Sequence, residues 1–300
     1  MDKIAKSLEK IVGSHNVKVK APMSQHTSFR AGGNAAVLVQ PQTADELQEV
    51  IRLLNEEGIK HMVIGNGTNI LVRDEGYDGV IVKAGAPFSY VNIEGTKLSC
   101  GCGALLSVVA NAAADKSLTG FEFASGIPGS IGGAVFMNAG AYDGEIKNIL
   151  EEVKLISADG SRVYTVSGEE LHLGYRRSDL QESGDIVIEA TIALEEGEEE
   201  AIRGKMAELT ARRNSKQPVQ YPSAGSFFKR PEGYFAGKLV QDAGCKGLTV
   251  GGAQVSVLHS GFVINIGGAT ATDIIQLMQL VQERVMDKFG VMLEPEVRII

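Results

Sequence analysis

Two stretches of this chain have the composition of a cradle for an anion: "IGNGTNILV" at 64–72 and "GIPGSIGGAVFMNAGAY" at 126–142. Each offers backbone N–H groups unencumbered by large side chains, interleaved with Asn, Thr and Ser. Nests of this kind hold phosphate oxygens with no basic residue. Pro128, Gly129 and Ser130 are placed to open a short helix, whose N-terminus adds partial positive charge. Neither stretch carries the lysine of a P-loop, and neither fits G-x-G-x-x-G. "GCGALL" at 101–106 has two of those glycines and lacks the third. One such loop reads as an ordinary tight turn; two, this rich in Gly and Asn, point to a dinucleotide.

Three further side chains could do chemistry, though none declares it locally. Ser226 sits in "SAGSFF" with no His, Asp or Lys just before it, so on local sequence it is a turn residue. Arg176, in "LGYRRS", can grip a carboxylate through two parallel hydrogen bonds and stays charged. In "LEPEVRII", Glu294, Glu296 and Arg298 alternate, which puts all three on one face if the segment is a strand. Taken alone, that arginine and those glutamates read as surface charges. Arg213, Lys216 and Arg230 cluster in sequence, and taken alone they read as a solvated basic face.

The elements that must position these groups fill 300 residues, enough for two domains with their own cores. The net charge of −8 argues against a nucleic-acid partner. No apolar run is long enough to span a bilayer, and the first residues read as an amphipathic helix, not a signal peptide. Cys100, Cys102 and Cys245 are too few and too scattered for a zinc site; they read as small buried residues in a reducing compartment. No metal is expected.

"TADELQEVIRLLNEEG" at 43–58 predicts a helix capped by Thr43 and Glu46 and ended by Gly58. Short apolar runs around it predict an αβ unit. Strand, turn and helix follow at 97–118, then three strands between 151 and 197. The charged stretch after 196 predicts a helix that leads into a second domain. In "TDIIQLMQLVQERVMDKFG", Ile274, Met278, Val281, Val285 and Phe289 form one apolar stripe. The last strand is expected to pair in a sheet.

Seven motifs in order carry a family resemblance: "TSFRAGGNA", "GNGTNILV", "SGIPGSIGGAVFMNAGAY", "LGYRRS", "AGSFFKRP", "AGKLVQDAGCKG" and "LEPEVRII". Together they closely resemble the UDP-N-acetylenolpyruvoylglucosamine reductases, flavoenzymes of bacterial peptidoglycan synthesis. The resemblance implies an α+β fold. An FAD-binding domain of the vanillyl-alcohol-oxidase type would occupy 1–198, as two αβ subdomains that part near 84–90. A smaller αβ substrate domain would occupy 199–300. FAD would lie between the two loops, touching Arg30, Gly65, Asn66, Gly67, Thr68, Asn69 and Ile70 on one side. Gly126, Pro128, Gly129, Ser130, Gly132, Gly133, Asn138, Gly140 and Ala141 would form the other. Neither loop has a His or Cys, so the flavin would be non-covalent.

The implied reaction has two halves: NADPH reduces FAD, and hydride then passes to C3 of an enolpyruvyl ether. By resemblance, Arg176 and Glu296 stabilise the charge that builds on C2 and its carboxylate, and Ser226 protonates C2. Ser226 is a weak acid, but the carbon it faces is a very strong base. Arg177 reads as structural. Tyr175, Arg213, Lys216 and Arg230 would meet the substrate, UDP-N-acetylglucosamine enolpyruvate. Longer family members insert a loop bearing a tyrosine after the "GYR" motif; here the chain runs straight on, as in the shorter type. A cytoplasmic monomer is expected. The competing reading is another non-covalent FAD oxidoreductase of this fold acting on a sugar or alcohol.

Overall fold

Ile4, Ala5, Leu8 and Val12 recur at helical spacing, and they form the buried face of a helix over Asp2–Val12. The second helix, Ala44–Glu56, buries Leu47, Val50, Ile51 and Leu54 in the same way. Each such side chain contributes about 1.5–3 kcal/mol on burial. Thr43 Oγ1 accepts the Glu46 N–H at 3.1 Å, while the Glu46 carboxylate caps the N–H of Gln42, one residue earlier than a capping box requires. Gly58, at φ 61°, turns the chain out of the helix.

The computed structural model describes residues 1–300. A four-stranded sheet takes Val17–Pro22, Asn34–Val39, Tyr77–Lys83 and His61–Ile64 in that spatial order, the last two parallel. The short turn Ala86–Phe88 leads on to an antiparallel sheet. Its order is Val163–Ser167, Leu150–Ile156, Ile186–Ala193, Lys97–Gly101, Val91–Glu94. The helices Leu106–Ala114 and Ile131–Phe136 bury apolar faces in the core with this sheet. A third sheet takes Ser223–Ser226, Phe262–Asn265, Ala253–Val255 and Thr249–Val250, with the helix Ala271–Phe289 beside it. That helix buries Ile274, Met278, Val281 and Val285 of the predicted stripe, and Leu277 besides, with Phe289 half-buried at its end.

The chain parts into two compact units, and neither is one continuous segment. The first comprises Met1–Val19, Val37–Asn66 and Gly79–Arg212; the second comprises Lys20–Ala36, Gly67–Asp78 and Arg213–Ile300. A single cut at 198/199 is therefore not where the units divide. The charged stretch is the start of the helix Glu199–Lys216, whose Ile202 and Leu209 are buried and whose Arg203 pairs with Asp115 and Glu199. Composition changes there because the helix is solvated, and most of it stays with the first unit. The second core, conversely, takes Phe29, Ala31 and Leu71 from early in the chain. No helix is long and apolar enough to cross a membrane.

Candidate active site

In the first unit, Gly65 approaches Ser130 so closely that a Cβ on it would stand 2.1 Å from the serine Oγ. Ser130 is 3% exposed, precedes the helix Ile131–Phe136, and its hydroxyl has no hydrogen-bond partner. Not every N–H of this loop faces outward. Those of Ile131 and Gly132 go to the carbonyls of Ala104 and Cys102 at 2.9 and 2.8 Å, and the Cys102 side chain packs against Gly132. Gly126, Pro128, Gly129 and Gly133 lie at the surface or half-buried. Gly140–Ala141 pairs with Gly144–Glu145 as a hairpin tipped by Tyr142 and Asp143, both left-handed, at φ 51° and 69°.

Arg176 sits at the tip of a second tight turn. Gly174 and Arg177 exchange backbone hydrogen bonds of 3.0 and 3.2 Å. Arg176 takes φ 55°, a region where glycine or asparagine is at ease and arginine is strained. Its Nη2 lies 3.5 Å from the Gly140 carbonyl, and its guanidinium lies 5.0 Å from the ring of Tyr175, which is 54% exposed. Arg177 points elsewhere and pairs with Glu182 at 2.8 Å, as a structural residue would.

In the second unit, Gly67 at φ 65° presses against the carbonyl of His26, 2.1 Å from where a Cβ would be. The Ser28 N–H donates to the Gly67 carbonyl, and the Ser28 hydroxyl to that of Thr68. The neighbouring Thr27 hydroxyl is buried with no hydrogen-bond partner. Arg30, three residues on, is exposed and left-handed at φ 54°. Asn69 Nδ2 donates to the Glu296 carbonyl at 3.1 Å, and Ile70–Leu71 pairs in parallel with Arg298–Ile299.

Ser226 and Glu296, 70 residues apart in sequence, lie on segments that the main chain holds side by side. The Glu296 N–H donates to the Phe227 carbonyl at 2.8 Å, and the Lys229 N–H to the Glu294 carbonyl at 2.9 Å. The last segment changes partner midway: 294–296 runs beside 227–229, then 298–300 beside 69–71. The expectation of one strand through Glu294, Glu296 and Arg298 is corrected accordingly. Glu294 is engaged by Lys229 at 2.5 Å on the surface, which separates it from Glu296. Behind Ser226, Phe227 is fully buried and packs edge-on to Phe29 and Phe228, at centroid distances of 6.1 and 5.3 Å. Gly225 takes φ 78° with open space beside it, so its glycine serves the backbone. Arg213 and Lys216 end the helix Glu199–Lys216, and the Arg230 guanidinium lies over the Phe235 ring at 4.1 Å.

Partnerless buried hydroxyls at glycine turns suit a phosphate-bearing cofactor, and likeness to known families sets the class: a flavin-dependent oxidoreductase. Residues 35–165 match the family described as "FAD binding domain". Residues 217–300 match "UDP-N-acetylenolpyruvoylglucosamine reductase, C-terminal domain". The UDP-N-acetylenolpyruvoylglucosamine reductase of Alkaliphilus oremlandii is 48% identical across 100% of this chain and 99% of its own. That of Clostridium perfringens is 50% identical across 98% of this chain and 96% of its own. The crystal structure of the Thermus caldophilus reductase superposes with a TM-score of 0.82, at 35% identity, over 94% of this chain and 98% of that one. The chain belongs to the UDP-N-acetylenolpyruvoylglucosamine reductase family. The solved structure of wild-type Phl p 4.0202, a glucose dehydrogenase, shares the fold alone, with a TM-score of 0.52 at 17% identity over 65% of this chain and 44% of that one.

The residues present fit FAD. Each unit offers a buried hydroxyl with no protein partner at a glycine turn, Ser130 beside Gly65 in the first and Thr27 beside Gly67 in the second, of the kind that donates to a phosphate oxygen. Asn138 is the exception in the expected set. It is 0% exposed, and its side chain is held entirely within the protein.

Proposed function

We propose that this chain reduces UDP-N-acetylglucosamine enolpyruvate to UDP-N-acetylmuramate with NADPH, through non-covalent FAD, for peptidoglycan synthesis. The observation that carries the reading is family likeness over the whole chain, at about half identity. FAD, when bound, supplies hydride transfer from the nicotinamide to C3 of the enol ether. The loops at 65–70 and 126–142 would hold it, through N–H groups and the Ser130 and Thr27 hydroxyls.

The chain's own residues do the rest. Arg176, on its strained turn, grips the substrate carboxylate with two hydrogen bonds and opposes the negative charge that gathers there. Glu296 faces the same developing charge as a hydrogen-bond partner. Ser226 Oγ–H gives its proton to C2, and a neutral donor adds no charge beside the hydride path. The packed Phe227 and Phe228 keep water from reaching that strand from behind. Tyr175, Arg213, Lys216 and Arg230 belong to the binding of the nucleotide sugar. The enzyme acts in the cytoplasm as a monomer.

The test is NADPH oxidation by the yellow, FAD-loaded protein, followed at the nicotinamide absorbance. Oxidation should depend on UDP-N-acetylglucosamine enolpyruvate and yield UDP-N-acetylmuramate. A colourless protein that FAD cannot reconstitute, or oxidation indifferent to that substrate, would overturn the reading.

A further inference from the structure

Asn138 lies in the loop expected to hold FAD, yet with 0% exposure it presents no surface to a ligand. Its Nδ2 donates to Glu145 Oε2 at 2.8 Å and to the Gly174 carbonyl at 3.0 Å, and its Oδ1 accepts the Lys147 N–H at 2.9 Å. A side-chain amide has two N–H donors, and both are engaged. Its own backbone is left-handed, at φ 42°, which asparagine tolerates better than most residues. Three segments meet at this one amide: the end of the helix Ile131–Phe136, the hairpin strand Gly144–Glu145, and the turn that carries Arg176.

That turn is gripped from its other side as well. Gln181 Nε2 donates to the carbonyls of Arg176 and Phe136, each at 3.0 Å, and the buried Ser178 hydroxyl donates to Phe136 at 2.7 Å. An arginine at φ 55° persists only where its surroundings over-determine it. The Gly174 carbonyl marks the entry to the turn, and Asn138 is the side chain that fixes it.

We infer that Asn138 is a positioning residue for Arg176: it holds the Gly174–Arg177 turn in its strained form and so aims the guanidinium, without touching cofactor or substrate. The inference rests on the proposed role of Arg176 as carboxylate clamp.

The test uses FAD-loaded enzyme. Asn138→Asp keeps an acceptor for the Lys147 N–H but cannot donate to Gly174. Combining it with Glu145→Gln restores a hydrogen bond between those two side chains with reversed polarity and removes the like-charge pair. In this double variant, flavin content and flavin bleaching by NADPH alone should stay within about twofold of wild type. Turnover with the enolpyruvyl substrate should fall about 10- to 100-fold, as expected when a clamp is misplaced by an ångström or so. Adding the two changes to Arg176→Ala should lower turnover no further, because residues acting through one group are not additive. Wild-type turnover in the double variant would overturn the inference. So would a full additional loss on the Arg176→Ala background, equal slowing of flavin bleaching, or a protein that does not fold. If Arg176→Ala itself turned over normally, the proposed clamp would be wrong, a distinguishable result.

Discussion

Glu296 donates its backbone N–H to the carbonyl of Phe227 at 2.8 Å, which fixes the glutamate one residue out of register from Ser226. The relationship is made by main chain, so side-chain chemistry at Ser226 can be altered without unpairing the two strands.

Ser226→Ala is therefore expected to change chemistry and little else. Ser226 is exposed, and stability should stay within about 0.5 kcal/mol of wild type. NADPH should still bleach the flavin. Turnover with the enolpyruvyl substrate should drop about 10²- to 10⁴-fold, the usual worth of a positioned proton donor. Stopped-flow absorbance separates the two halves, and near-normal turnover would remove Ser226 from the role.

Gly67→Ala should cost both stability and flavin. The new Cβ would meet the His26 carbonyl at 2.1 Å, on a backbone at φ 65°. A loss of about 2 kcal/mol or more is expected, with a lower flavin-to-protein absorbance ratio. Gly58→Ala is the control. It has a similar φ of 61° with nothing within 4 Å, so it should lose about 1 kcal/mol and keep its flavin.

Asp74 gives a pH signature. Its carboxylate accepts the Ala271 N–H, the Thr272 N–H and the Thr272 hydroxyl at 2.8, 2.7 and 2.6 Å, at the start of the helix Ala271–Phe289. Burial pushes its pKa up, but those hydrogen bonds outweigh burial and hold it below the usual value. A depressed folded pKa means stability that is full above the unfolded value and is lost as pH falls through the folded one. Asp74→Asn should lower stability by about 1 kcal/mol at neutral pH, and the gap should narrow below about pH 4. A gap that stays constant in acid melts would contradict this.

The cysteines should be silent in the native protein. Burial pushes the thiols of Cys100 and Cys102 up to about 12, and that of Cys245 upward. A thiol-exchange chromogen should release no colour until denaturant is added, and then report all three thiols. Rapid native labelling would mean that a strand opens.

The elements were legible wherever apolar spacing was strong. The stripe from Ile274 to Phe289 appears as read, and so does the Thr43 half of the cap, while Glu46 reaches Gln42 instead of closing the box. What the sequence hid was pairing. Nothing local reveals that Glu296 lies beside Phe227, or that the last segment changes partner near Val297, because register is set by contacts far along the chain. The tight turn at Arg176 was missed for a related reason: no glycine marks its left-handed position, and the strain is held by Asn138, Gln181 and Ser178 from elsewhere. Asn138 falls in a loop whose composition suits a nest, and its burial is invisible in one dimension. The shift in composition near 198 coincides with the start of the solvated helix Glu199–Lys216, whose residues up to Arg212 fall in the first unit.

The discontinuous second unit sets a timetable for synthesis on the ribosome. Residues 20–36 emerge early, but Phe29 and Ala31 pack in a core whose Leu293 and Val297 are made last. At about 5–20 residues per second, the early segment stays without that core for roughly 13 to 50 s. The first unit is complete in sequence at Arg212, so it can close while the second has only Phe29, Ala31 and Leu71 of its buried core. Fragments beginning near 199 or 213 should accordingly aggregate when expressed alone, and fusing residues 20–36 and 67–78 to 213–300 through designed linkers is the rational way to obtain the second unit by itself.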